Sequence, residues 1–175
     1  GEMYIYKRTQ GTYMVTLSAV KKVNALYGLY TRSFTIDGNN IILTSQGAGG
    51  IVVVNKRTFN IVAAYPVPDQ LGGVVQVAHG GGHYYLTTSS DRQGNQNVAA
   101  TYRSTSLAGF MNLATCEDVT AALGGVSGMQ VPYYITNCGG LYYVRFTGLA
   151  AGYPDKGCIF TEDAYGNIVV YSVWP

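Results

Sequence analysis

Ser33-Phe34-Thr35-Ile36-Asp37-Gly38-Asn39-Asn40-Ile41-Ile42-Leu43-Thr44 reads as a strand, a glycine turn and a second apolar strand. The same order returns in Val75-Gln76-Val77-Ala78-His79-Gly80-Gly81-Gly82-His83-Tyr84-Tyr85-Leu86-Thr87. It returns again in Tyr133-Tyr134-Ile135-Thr136-Asn137-Cys138-Gly139-Gly140-Leu141-Tyr142-Tyr143-Val144. Gly38, Gly81 and Gly139 align. Glycine at a hairpin corner has a cause, because primed turns need a positive φ that a Cβ opposes.

Working outward from the first hairpin, Arg32–Ile36 and Ile41–Ser45 flank the Asp37–Asn40 turn. Ile51–Asn55 is an apolar run that reads as buried on both faces, and Ile61–Val67 is a fourth strand ended by Pro66 and Pro68. Four antiparallel strands in about 36 residues is the size of one β-propeller blade. The second unit predicts strands at Val74–Ala78, His83–Thr88, Val98–Arg103 and Phe110–Ala114. The third predicts Val131–Thr136, Leu141–Thr147, Gly157–Thr161 and Asn167–Trp174. Met3–Tyr6, Thr12–Val20 and Ala25–Tyr30 would supply three strands of an incomplete fourth unit. One short helix is expected over Cys116–Leu123, capped by Thr115, with Asp118 at the third position and Gly124 as the stop. The expected fold is thus a single all-β domain over residues 1–175, a propeller-like arrangement of about four antiparallel four-stranded units. A β-sandwich or an intertwined trimeric fibre domain built from the same hairpins is the alternative.

Composition agrees with this. The chain has 175 residues, 47% apolar and 13% aromatic, with only 11% charged and 23 glycines. Disordered chains show the reverse balance, and no run is long and apolar enough for a membrane-spanning helix, so no membrane insertion is expected. The net charge of +2 hides an uneven split. Seven Lys and Arg against Glu2 and Asp37 give +5 up to residue 57, and the remainder carries −3. Such pairs solvate turns and guard strand edges; nucleic acid would need a denser basic stripe, and none is expected as a partner. Cys116, Cys138 and Cys158 are odd in number and lack metal-ligand spacing. They read as reduced thiols, buried as small apolar residues, from a chain that folds in a reducing compartment. The opening residues show no signal-peptide pattern.

Catalytic and cofactor patterns are thin. His79 and His83 flank a triple-glycine turn, but no Asp, Glu or Cys adjoins them in sequence, so they read as satisfied turn residues rather than metal ligands. Gly80-Gly81-Gly82 and Gln46-Gly47-Ala48-Gly49-Gly50 lead into strands, not helix N-termini, and so lack a phosphate-binding context. No metal and no cofactor is expected. Of each Tyr84-Tyr85 and Tyr142-Tyr143 pair, one ring at most can face a ligand, because neighbours on a strand point opposite ways. Polar side chains do gather on the loops that a blade arrangement brings to one rim. The candidate ligand-binding residues are Gln46, Asp69, Asp91, Arg92, Asn95, Gln130, Tyr153, Asp155 and Lys156. Planar polar groups beside tyrosine suit sugars, whose hydroxyls need paired donors and acceptors.

Residues 81–146 resemble blades of the five-bladed glycosidase propellers of arabinanase and xylosidase type, and more loosely those of sialidases. The resemblance rests on Gly82-His83-Tyr84-Tyr85-Leu86, Ser104-Thr105-Ser106-Leu107-Ala108-Gly109-Phe110, Gln130-Val131-Pro132-Tyr133-Tyr134-Ile135 and Gly140-Leu141-Tyr142-Tyr143-Val144. It implies a propeller fold. Those enzymes carry a general acid just before the Pro of the inner strand, paired with a second carboxylate. Gln130 stands at that place and cannot protonate a leaving group, so the kinship is one of fold without the chemistry.

The composition is also similar to viral and phage receptor-binding tips. The expected function is therefore a non-catalytic binding module for a cell-surface glycan or receptor, on a virion or extracellular surface after cytoplasmic folding. Two alternatives stand beside it: a glycosidase-like hydrolase with Asp91 and Asp155 as the acid pair, and a structural virion or assembly module that self-associates, as a trimer or larger ring.

Overall fold

The computed structural model describes residues 2–22, 30–46 and 49–175. The chain is all-β, with its strands in four antiparallel sheets, none of them closed. Strands β1 (Glu2–Arg8) and β2 (Val15–Lys22) form a hairpin on their own. The next sheet runs β3 (Tyr30–Asp37), β4 (Asn40–Gln46), β5 (Gly50–Asn55) and β6 (Ile61–Pro66), each paired to the one before. The middle sheet is β7 (Val74–His79), β8 (Tyr84–Thr88), β9 (Thr101–Ser104) and β10 (Glu117–Asp118). The last is β11 (Gln130–Cys138), β12 (Leu141–Gly148), β13 (Lys156–Glu162) and β14 (Ile168–Trp174). Three sequential four-stranded meanders follow the expected units, and the N-terminal hairpin supplies two of the three strands expected of the incomplete one; the predicted 25–30 strand lies largely outside the described residues.

The aligned glycines behave as their chemistry requires, with φ of +55° at Gly38, +103° at Gly81 and +61° at Gly139. A second repeat accompanies them. The first strand of each four-stranded sheet carries a bulge, at residues 32, 75 and 133, each six positions before its aligned glycine. A bulge frees backbone groups from the ladder. Here the carbonyl of Val75 accepts hydrogen bonds from Ser33 Oγ (2.7 Å) and Thr44 Oγ1 (2.6 Å) of the preceding sheet. Thr35 Oγ1 donates in the same way to the Val77 carbonyl. The advance from 33 and 75 to 35 and 77 means that β3 and β7 run parallel, sheet against sheet.

The core lies between these stacked sheets. Ile42, Ile51, Val53, Val74, Val77 and Leu86 fill the space between the first and middle meanders, with Phe110 beneath them. Tyr85, Ile135, Tyr142, Val144, Phe146 and Phe160 fill that between the middle and last. Strand β5 is buried on both faces, as its unbroken apolar run predicts: Ile51 and Val53 face the middle sheet, while Val52 and Val54 pack with Leu43 and Met3 on the hairpin side. Stacking on both faces removes the polar side of the alternation.

Two predicted elements are corrected. Phe110–Ala114 is not a strand; residues 107–115 form two 3-10 turns, and the fourth strand of the middle sheet is the two-residue β10. Phe110 is fully buried as an anchor for this turn, which is why its apolar text resembled a strand. The predicted 116–123 helix is absent too, because Glu117 and Asp118 pair with Arg103 and Tyr102 in β10. A single helical turn follows instead, with Asp118 Oδ1 accepting from Thr120 N. It closes as a Schellman motif, Gly125 N bonding to Thr120 O and Gly124 N to Ala121 O. The stop at Gly124 (φ +77°) stands; the cap is Asp118, not Thr115.

Candidate functional site

Loops at opposite ends of the strands form two rims. The first, where β7 and β11 begin, carries the nine predicted ligand-binding residues, and most of their polar atoms are spent on the protein itself. Asp91 Oδ1 accepts from the amides of Gln93 and Asn95, and Asn95 Oδ1 accepts from Asn97 N. Arg92 reaches Asp69 Oδ1 at 3.2 Å and donates to the Val67 carbonyl. Gln130 is fully buried; its amide donates to Pro154 O at 2.6 Å and its carbonyl accepts from Val126 N. Asp155 pairs with Arg145 at 2.7 Å and accepts from Gly148 N, which together hold its carboxyl below the usual range. Lys156 Nζ donates to Gly124 O, Tyr153 is exposed, and Gln46 ends β4. The structure thus joins Asp69 with Arg92, and Asp91 with Asn95, as loop staples. None of the nine lines any of the four cavities described for this chain.

The opposite rim is built from the aligned hairpin turns, and the middle hairpin β7–β8 is clamped there from both sides. On one side Asp37 of β3 meets His79 Nδ1 at 3.0 Å and accepts from the Tyr84 hydroxyl at 3.0 Å. The His79 ring stacks on Tyr84 at 3.9 Å. Across the hairpin, Glu162 of β13 meets His83 Nδ1 at 2.7 Å and accepts from the Tyr85 hydroxyl at 2.7 Å and the His83 amide at 3.0 Å. Each clamp is a carboxylate of one outer sheet holding one histidine and one tyrosine of the middle sheet. The two histidines therefore do have acidic partners, brought from other sheets rather than from nearby sequence. Among the described residues no group of three or more His, Cys, Asp and Glu forms a metal site.

Glu162 is the more deeply set clamp, its side chain 9% exposed against 27% for Asp37. Burial alone would raise its pKa. The hydrogen bonds from Tyr85 and from His83 outweigh that, and the carboxyl is held below its ordinary range. Burial and the same carboxylate push the Tyr85 hydroxyl upward; burial, then Asp37, raises Tyr84 to about 12. Arg103 supplies no free cation, since Nε reaches Glu117 at 2.7 Å and Nη1 donates to Gly166 O at 2.8 Å.

Beside the Glu162 clamp opens a cavity of about 460 Å³, lined by Gly80–Gly82, His83, Thr105, Gly140, Tyr142 and Thr161–Ala164, with Gly166. Its floor depends on missing side chains. A Cβ on Gly82 would fall 1.7 Å from Glu162 Oε2, and one on Gly80 would strike Asn137 at 2.3 Å. The tyrosine pairs divide as strand geometry requires: Tyr85 and Tyr142 are in the core, while Tyr84 and Tyr143 are only half-buried on the other faces. The Tyr142 hydroxyl still reaches the His83 carbonyl at 3.5 Å.

All three cysteines are free, but only Cys158 is buried; Cys116 is half-buried and Cys138 exposed. Burial raises the Cys158 thiol to about 11.

No protein-family model matches this sequence, and no curated protein does.

Proposed function

We propose that this chain is a non-catalytic binding module for a cell-surface glycan, built as an open arc of propeller-like blades. Three observations support the blade reading: three successive four-stranded meanders, a bulge and a glycine recurring at one spacing in each, and stacking through their first strands. The single observation that carries the binding reading is the 460 Å³ cavity at the Glu162 clamp. Its size falls within the roughly 300–1,000 Å³ typical of small-ligand sites. The Thr105 hydroxyl, bare glycine backbone and the acceptor side of the Thr161 hydroxyl, whose proton goes to Gly140 O, offer short donors and acceptors at fixed places beside the His83 ring, which suits a polyhydroxylated ring. A virion or extracellular surface, with a host glycan as receptor, is the setting this reading implies.

The hydrolase alternative with Asp91 and Asp155 as an acid pair finds no support in the geometry. A general acid must hold a proton near neutrality, whereas Asp155 is held below the usual carboxylate range by Arg145, and neither Asp91 nor Asp155 lines a described cavity. The assembly alternative draws on exposed apolar residues of β14 and of the β1–β2 hairpin, among them Tyr4, Tyr6, Leu17, Tyr171 and Val173. Light scattering tests it: a trimer or larger ring favours assembly, and a monomer removes it.

A glycan array tests the binding reading, run on the wild type and on Ala164→Trp, which fills the cavity from an exposed turn. Glycan capture that the variant loses, with an unchanged circular dichroism spectrum, is expected. A folded wild type that captures no glycan, or a variant that captures as well, rejects it.

A further inference from the structure

The 460 Å³ cavity does not end at Thr105. A second depression of about 290 Å³ shares both His83 and Thr105 with it and continues past Ser104 and Cys116. A third, of about 430 Å³, again shares Thr105 and runs past Tyr84 of the middle sheet to Tyr65 and Asn40 of the first. We infer that these three depressions form one trough across all three sheets, and that its ligand is an uncharged linear oligosaccharide of several units, seated across Thr105. The inference rests on the glycan-binding reading and narrows its ligand.

Length follows from continuity. A monosaccharide needs only one depression, whereas a chain is rewarded for each further unit it lays in the trough. Absence of charge follows from what lines it. Arg103, the cation set along the trough, is tied to Glu117 and to the Gly166 carbonyl. The acidic groups beside it are Glu162, Asp163, Glu117 and, toward the first sheet, Asp37; an anionic sugar would meet carboxylates with no free guanidinium to offset them. The histidines are each turned toward a carboxylate. Polarity also changes along the trough, from backbone and hydroxyls at the Glu162 end to the Tyr65 and Tyr84 rings at the other, where a sugar face can stack. An extended peptide fits less well. Peptides commonly pair with a free strand edge, and this trough crosses hairpin turns instead.

The test is titration calorimetry with neutral β-1,4-linked gluco- and xylo-oligosaccharides of two to eight units, an acidic uronate series of equal lengths, and a panel of extended peptides. Affinity should rise at least about tenfold from the disaccharide to the longer members, and the uronate series should bind more weakly. Ala108→Trp, on an exposed turn that lines the third depression and lies outside the 460 Å³ cavity, should remove the length-dependent gain while leaving disaccharide affinity unchanged. Equal affinity for all lengths, equal affinity for the uronates, or a length effect untouched by Ala108→Trp overturns the trough while leaving glycan binding standing. A folded protein that binds no oligosaccharide, or binds peptides alone, overturns both.

Discussion

The two rims are made from the same materials, glycine turns and short polar side chains, yet they use them differently. On the rim where β7 and β11 begin, Asp91 bonds within its own loop, Arg92 and Gln130 to neighbouring loops, and Asp155 to Arg145 of β12. On the opposite rim, Asp37 and Glu162 hold the middle hairpin between its neighbours, and glycines beside Glu162 leave room open to solvent. The difference teaches that polar side chains on a loop do not by themselves make a binding surface. What matters is whether the fold has already satisfied them, and whether space remains next to those it has.

The sharpest way to break this contrast is to remove the Glu162 carboxylate. Glu162→Leu strands the Tyr85 hydroxyl and the His83 amide in a buried setting, and should cost about 3 kcal/mol in urea unfolding as well as ligand capture. Gln130→Glu tests the other rim. It places a carboxylate against the Pro154 carbonyl in a fully buried position, and should cost about 2 kcal/mol by the same measurement, with no glycosidase activity gained on aryl glycosides. Asp37→Ala opens the shallower clamp and should cost about 1 kcal/mol, less than Glu162→Leu because water can replace the lost partner. Arg92→Ala should cost well under about 1 kcal/mol, since its partner Asp69 is largely exposed. If Arg92→Ala proves as costly as Glu162→Leu, the contrast between the rims is wrong.

Acid titration sharpens the same point. The Glu162 carboxyl is lowered in the folded chain, so it stabilises the fold at pH values above the ordinary glutamate range. That contribution is lost as pH falls through the lowered value. Unfolding free energy measured against pH should therefore drop less steeply on the acid side in Glu162→Gln than in the wild type.

Much of the frame was legible in the sequence because its causes are local. Gly38, Gly81 and Gly139 mark corners that a Cβ would strain, and the Ile51–Asn55 run declares a strand covered on both sides. The middle sheet was legible only in part. Phe110 and Leu113 look like strand text, but a two-residue strand such as β10 has no period to detect. The clamps were hidden for a different reason: 79 residues separate His83 from Glu162, and no spacing rule joins them before the sheets stack. One local signal was available. Asp91-Arg92-Gln93-Gly94-Asn95 and Asp163-Ala164-Tyr165-Gly166-Asn167 share an Asp-x-x-Gly-Asn pattern. In both, Asp Oδ1 accepts from the amides two and four residues on, and the Asp amide bonds back to the Asn carbonyl. That pattern announces a closed turn, and so a carboxylate already occupied.

Trp174 is the chain's one tryptophan, and it lies on the outer face of the last sheet. Its indole occupies the place where a Cβ on Gly157 would sit, 2.7 Å away, and runs nearly parallel to Tyr143 at 5.8 Å. Emission from this residue therefore watches only the C-terminal meander, whereas far-ultraviolet ellipticity averages every strand. If the stacked sheets come apart one at a time, the two optical signals will separate along a denaturant gradient, making the indole a built-in gauge of how cooperatively the molecule melts.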